Sequence, residues 1–314
     1  MSDYPKLRNL DVFPFDLNGQ RVICLRDPMN INAKMLFLPP RLFYIASLFN
    51  GKNSLVDIQA EYMRNFGDLI YREKLTELID ELDKHLFLES PHFNRTREEI
   101  ENQYLSNSVR PAAHAGISYE SEPEKLKTQL GSFFLPPEGP GLPNLSLKQE
   151  KPLKAVMAPH IDLRRGGHCF AWAYKTLAES SSYDLFIILG TAHSEMKNLF
   201  SVSSKDFDTP LGIVHTDRDF IELFRKHCSQ DIFEEEIIHR NEHTIEFQTV
   251  FLKYLFPNED LKILPVLVGS FHELIVNRIE PIERNEVRLF TDALKTTVAL
   301  SGKRVCLITS VDLA

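Results

Sequence analysis

Three stretches of this 314-residue chain place histidines or carboxylates directly after an apolar run. Leu153 to Ala158 leads into Pro159-His160-Ile161-Asp162. Asp184 to Gly190 leads into Thr191-Ala192-His193-Ser194, and Arg304 to Thr309 into Ser310-Val311-Asp312. If these runs are neighbouring parallel strands, His160, His193 and Asp312 converge at one sheet edge, where open α/β sheets bind ligands. Asp162 lies two residues past His160, and an extended backbone points both side chains the same way. Two imidazoles and a carboxylate suit a first-row divalent metal, and that set fits Fe(II). The expected ligands are therefore His160 and His193 with an oxygen from Asp162, or from Asp312. The plainer reading is that strand-end histidines cap the sheet or bond its backbone.

A fourth cluster, His239-Arg240-Asn241-Glu242-His243-Thr244-Ile245-Glu246, admits two chemical readings. If a helix starts near Glu242, His243 and Glu246 share a face at i, i+3. The helix N-terminus then disfavours protonation of His243. A neutral imidazole near pH 7 is a usable general acid or base. The candidate catalytic groups are thus His243, Glu242 and Asp312. Read instead as His239-x-x-Glu242-His243, the segment matches the inverted zinc-protease signature, with Glu242 as base of a zinc-dependent hydrolase. An exposed His-Glu pair on an amphipathic helix is the plainer account.

The elements that must position these residues follow from patterning. Unbroken apolar runs of strand length, including Leu261 to Val268, alternate with helical stretches at Gly167 to Glu179, Asp217 to His227 and His243 to Phe256. That alternation predicts an α/β fold: a mainly parallel sheet with helices on both faces. Ser121 to Phe134 reads as a further helix with Ser121 and Glu124 as a capping pair, followed by a Pro/Gly-rich loop over Leu135 to Glu150. The first 105 residues read as a separate small α+β unit. Leu10 to Phe15 and Arg21 to Leu25 flank Asn18-Gly19, a hairpin turn signal. Helices are expected over Arg41 to Phe49, from an N-cap at Ser54 to near Gly67, and over Tyr71 to Lys84. Leu86-Phe87-Leu88 is expected to close the sheet as a wing-like strand, and 94–105 to form a charged connecting helix. The domains expected are a winged-helix-like unit over 1–105 and an α/β unit over 106–314.

Composition narrows the function classes. With 43% hydrophobic and 25% charged residues, the chain is globular rather than fibrous or disordered. Its net charge of −8 argues against nucleic acid as a partner. No apolar run has membrane-spanning length, and Met1 to Leu10 has no secretory h-region. Cys24, Cys169, Cys228 and Cys306 show no CxxC spacing, which predicts reduced thiols in the cytoplasm. Arg164-Arg165 beside Gly166-Gly167 could grip an anion. P-loop, GxSxG and kinase motifs are absent from the sequence.

A resemblance adds to this reading. Arg110-Pro111-Ala112-Ala113-His114-Ala115-Gly116-Ile117-Ser118-Tyr119 resembles the opening R-x-x-x-H-A-G-x-x-Y segment of the Memo family. Ala158-Pro159-His160, Gly190-Thr191-Ala192-His193-Ser194, Asp208-Thr209-Pro210-Leu211-Gly212, Asn241 to Glu246, Leu264 to Gly269 and Ser310-Val311-Asp312 follow in that family's order. The Arg164 to Gly167 form and the N-terminal unit resemble the bacterial AmmeMemoRadiSam system protein B. Its implied partners are an AMMECR-type protein and a radical SAM protein. The N-terminal unit is similar to PqqD-like winged-helix domains, which implies a bound peptide. The resemblance implies a class III extradiol dioxygenase-like fold and a redox metal, Fe(II) or Cu, with zinc as alternative. Within it, His160 and His193 match metal ligands, and His243 matches a histidine that stands behind the ligands or acts as the acid/base. A family cysteine ligand corresponds to Ala314, and the family continues past this point, so the chain is expected to stop inside the domain. Either a metal-dependent, dioxygenase-like oxidoreductase or a non-catalytic peptide- or partner-binding module satisfies these features.

Overall fold

The structure, a computed structural model, describes residues 3–32, 34–144, 152–257 and 260–312. The chain divides into two compact units, Met1–Gln103 and Tyr104–Ala314.

The first unit opens with strands β1 (Asp11–Leu17) and β2 (Gln20–Arg26), antiparallel about Asn18-Gly19. Both turn residues have positive φ, 53° and 81°, which is what a two-residue hairpin of this twist requires. A short β3 (Leu36–Leu38) completes the sheet in the order β1-β2-β3. Helices α1 (Pro40–Ser47), α2 (Leu55–Phe66), α3 (Arg72–Lys84) and α4 (Pro91–Ser106) follow. Ser54 caps α2 in a full capping box with Asp57, and Gly67 ends it in the left-handed conformation. Leu75, Leu78, Ile79 and Leu82 of α3 are buried, the stripe their spacing dictates. The expected closing strand at Leu86-Phe87-Leu88 does not form. Leu86 has φ 59°, and the segment makes a single bridge, Leu88 to Leu7. The third strand comes from Leu36–Leu38 instead, ahead of the helices.

The second unit contains β4 (Val109–Arg110), α5 (Pro123–Ser132), β5 (Ala155–Ala158), α6 (Leu163–Ala178), β6 (Leu185–Thr191), β7 (Phe200–Val202), β8 (Asp206–Phe207) and β9 (His215–Thr216). Then come α7 (Arg218–His227), a 3-10 helix at Glu236–Arg240, α8 (His243–Leu255), β10 (Lys262–Val268), α9 (His272–Asn277), α10 (Asn285–Ser301) and β11 (Val305–Ser310). The fold is mixed α/β. The main sheet runs β5-β11-β6-β10-β7; the first four strands are parallel and β7 is antiparallel, while β9 joins the start of β10.

Alternate residues of these strands feed two cores, as the twofold period of a strand requires. Phe186, Ile188, Ile263 and Ile308 pack with α5, α6 and α8, and Leu185, Ile187, Leu264 and Val266 pack with α7 and α10. Phe251 of α8 stacks on Phe170 and Tyr174 of α6 at 4.8 and 5.1 Å. Such pairs are worth about 0.5–1.5 kcal/mol beyond area burial.

Two helix starts differ from expectation. Pro123 takes the first position of α5, so Glu122 rather than Ser121 caps it, accepting from Glu124 N and Lys125 N. Helix α6 begins at Leu163, before the glycines, because Asp162 caps it. Gly167 marks close packing rather than a helix start, since a Cβ there would lie 2.5 Å from the Phe133 ring. The later part of the Leu135 to Glu150 loop lies outside the described residues. All four cysteines are free. Among the described residues no helix is long and apolar enough to cross a membrane.

Candidate metal centre

The parallel order β5-β11-β6 fixes what meets at the sheet edge. Ser310 pairs with Ala158 on one side and Gly190 on the other. His160, His193 and Asp312 therefore leave adjacent strand ends two or three residues later. The rings of His160 and His193 lie 5.1 Å apart. His243, at the start of α8, joins them, 4.8 Å from His193 and 5.6 Å from His160.

Each ring is held from behind. His160 Nδ1 is 3.0 Å from the Ser310 carbonyl. A carbonyl only accepts, so the proton is assigned to Nδ1, and Nε2 keeps its lone pair. Burial lowers the pKa of His160 below its ordinary value, which favours this neutral form. His193 Nδ1 faces the Glu242 carboxylate at 3.1 and 3.2 Å, and this hydrogen bond raises its pKa. The His243 Nδ1 lies 3.1 Å from the same carboxylate.

Glu242 holds both rings while capping α8. Its oxygens accept from the backbone N–H groups of His193 at 2.9 Å, His243 at 2.8 Å and Thr244 at 3.2 Å. Burial pushes the Glu242 carboxyl up, but hydrogen bonds from His193 and His243 outweigh it and hold the group ionised. The ligand-capable atoms of His193, Glu242 and His243 lie within 4.8 Å of one another, the one such trio among the described residues. These contacts engage both carboxylate oxygens of Glu242.

Asp162 is not brought into this group. Its carboxylate accepts from Arg164 N at 2.8 Å and ends there as the cap of α6. Asp312 is placed better: Oδ1 accepts from His160 N at 3.3 Å, and Oδ2 stands 3.6 Å from His160 Nε2. The zinc-hydrolase alternative needs His239 and His243 on one helix. The chain breaks there, because Glu242 caps a new helix after the 3-10 turn ends at Arg240. His239 is buried, its pKa lowered by burial to about 3, with Nε2 against the Ser201 carbonyl. Arg164 donates to the Ile117 carbonyl at 3.0 Å. Ala314 lies outside the described residues.

The N-terminus of α8 reaches the end of β6 because Gly190 has no side chain. A Cβ there would sit 2.5 Å from Thr244 Oγ1 and 2.8 Å from Ile245 Cγ1. We expect Gly190→Ala to lower stability by about 1–3 kcal/mol, the usual cost of overpacking. Denaturant melts with an unchanged midpoint would contradict this.

Three groups escaped assignment from local sequence. Arg110, fully buried, donates to Glu246 at 2.5 Å, to the His239 carbonyl at 2.6 Å and to the Glu242 carbonyl at 2.7 Å. Tyr119 donates to Glu246, as do the backbone N–H groups of Ala113 and His114. The His114 ring lies 5.6 Å from that of His243 and bonds the Asn241 carbonyl. The segment from Arg110 to Tyr119 is thus locked onto that from Asn241 to Glu246, two stretches more than a hundred residues apart.

The family described as Memo-like protein matches residues 110–313. This chain belongs to the Memo family. A MEMO1 family protein of Aquifex aeolicus is 32% identical over 266 residues, covering 84% of this chain and 66% of its own length. Others come from Ignicoccus hospitalis, 33% identical over 51% of this chain and 56% of the relative, and Methanosarcina barkeri, 32% over 65% and 67%. The chain thus spans roughly half to two thirds of the relatives it matches. The Aquifex match is longer than the Memo region, so the likeness extends into the N-terminal unit.

Proposed function

We propose that this Memo protein binds a redox-active divalent metal, Fe(II) or Cu, at the ends of β5, β11 and β6, in a pocket like that of class III extradiol dioxygenases. The observation that carries the proposal is the tethering of the rings. His160 and His193 each have Nδ1 held by an oxygen, which leaves Nε2 as donor. Metal-binding histidines are held in this manner. Asp312 supplies the oxygen in place of Asp162. Its 3.6 Å separation from His160 Nε2 is too long for a hydrogen bond. It approaches the roughly 3.0–3.4 Å between two donors that share one ion at ~2.1 Å bonds. Glu242 orients His193, and His243 stands beside both as the group that moves a proton. The metal would supply Lewis acidity and redox chemistry. Zinc suits the same imidazoles and is the alternative ion.

Anaerobic titration with Fe(II), Cu and Zn tests this. His193→Ala should bind at least ~10-fold more weakly than wild type, since even losses behind the ligands cost that much. Equal affinities would sink the assignment, and wild-type protein without metal above background would favour a peptide- or partner-binding module.

The wider reading is that the chain works in the cytoplasm as the B protein of an AmmeMemoRadiSam system. An AMMECR-type protein and a radical SAM protein are its companions, and a winged-helix-like, PqqD-like N-terminal unit takes a peptide. Likeness to the Aquifex protein beyond the Memo region supports treating both units as one functional chain. Pull-down with the purified companions checks it; no retention of either argues against the system.

A further inference from the structure

We infer that Arg110 is a positioning residue, which acts through the Glu242 backbone to fix the orientations of His193 and His243. The inference rests on the metal-binding reading but concerns residues that touch no metal. Arg110 Nη2 donates to the Glu242 carbonyl and Nε to the His239 carbonyl. Nη1 pairs with Glu246, one turn into α8. One planar guanidinium thus ties down the turn before α8, its cap residue and its first turn. A lysine cannot reproduce this, because its ammonium is a single point charge without the fork of donors. Glu242 is the shared member: its carbonyl is held by Arg110, and its carboxylate holds Nδ1 of His193 and faces Nδ1 of His243. If the turn loosens, both imidazoles lose the acceptor that keeps the proton on Nδ1, and Nε2 is no longer aimed as a donor. His160 has a different anchor, although Ser310 Oγ also donates to the Thr244 carbonyl of α8. The His160 Nδ1 is held by Ser310 at the end of β11, which Arg110 does not touch.

That separate anchor makes His160 the reference ring, since its Nδ1 is held by the Ser310 carbonyl and not by Glu242. The full chain, labelled with ¹⁵N-histidine and free of metal, is compared as wild type, Arg110→Lys and the double variant Arg110→Met/Glu246→Met. Long-range ¹H–¹⁵N spectra report which ring nitrogen carries the proton. In both variants His193 and His243 should pass from a single Nδ1–H form to an exchanging mixture, while His160 keeps its wild-type signature. Fe(II) affinity should fall about 10-fold, as when a group behind a ligand is removed. Unchanged His193 and His243 signals overturn the inference. So does simultaneous change in all three histidines, which marks general loosening, and so does failure of both variants to fold. A wild-type protein that binds no metal defeats the metal reading alone, because the ring signatures are read without it.

Discussion

Arg110→Met should destabilise the Memo unit by about 3–5 kcal/mol, the usual loss when one partner of a buried ion pair is removed. Arg110 and Glu246 have fully buried side chains. The substitution leaves the Glu246 carboxylate with bonds from Tyr119, Ala113 and His114 but no compensating charge. Two backbone carbonyls, of His239 and Glu242, also lose their donor. The pH dependence gives an independent check. Burial alone pushes the Glu246 carboxyl up, yet the Arg110 guanidinium, then His114 and the Tyr119 hydroxyl, together hold it below its ordinary value. In wild type this pairing stabilises the fold above the unfolded glutamate pKa of about 4.3, and the gain is lost as pH falls through the depressed folded value. In Arg110→Met the sign reverses. The unpaired carboxyl titrates above its unfolded value, so stability is lost as pH rises through that range. The gap between the two proteins should therefore narrow on acidification from pH 7, first as the variant's raised carboxyl is protonated and further below about pH 4 as wild type loses its gain. A gap constant from pH 7 to pH 4 would show that Glu246 is not the charge left behind.

The residues that met at the sheet edge were legible because the rule that places them is local. His160, His193 and Asp312 each follow an apolar run, and runs of that kind in alternation with helices build parallel sheets whose carboxyl ends hold ligands. The Asp162 expectation came from the same extended-chain reasoning and failed one residue later. Leu163 already starts α6, so the backbone turns and the carboxylate caps the helix. Helix α10 went unrecognised although Val287, Phe290, Ala293 and Thr297 are buried at helical spacing, because alanine and threonine in the stripe dilute the apolar signal. Strands β7, β8 and β9 are two or three residues long, too short for any period to show. The apolar run Leu86-Phe87-Leu88 has strand composition, but a left-handed backbone at Leu86 uses it to turn the chain. His114 and Arg110 were visible as members of a motif, whereas their roles depend on contacts with residues 239–246, which no local pattern encodes.

His243→Gln separates three accounts of the pocket. The ring lies 4.8 and 5.6 Å from those of His193 and His160, with a half-buried side chain and its Nδ1 against Glu242. Glutamine fills similar space and can keep a donor toward Glu242, but it has no group that exchanges a proton near pH 7. If His243 is the acid/base, the variant should hold Fe(II) as tightly as wild type, since His160, His193 and Asp312 remain. Turnover of a catechol under oxygen should then fall by roughly 10² to 10⁴, the usual worth of a general acid or base. If the protein only binds, metal content and ligand affinity shift modestly, with no turnover in either form. If instead the metal leaves together with the imidazole, His243 is itself a ligand. In that case Glu242 orients two metal-binding histidines, and the proton carrier must be sought at His114, whose ring lies 5.6 Å beyond His243. Its Nε2 is committed to the Asn241 carbonyl, which assigns the proton there and leaves Nδ1 as the basic nitrogen.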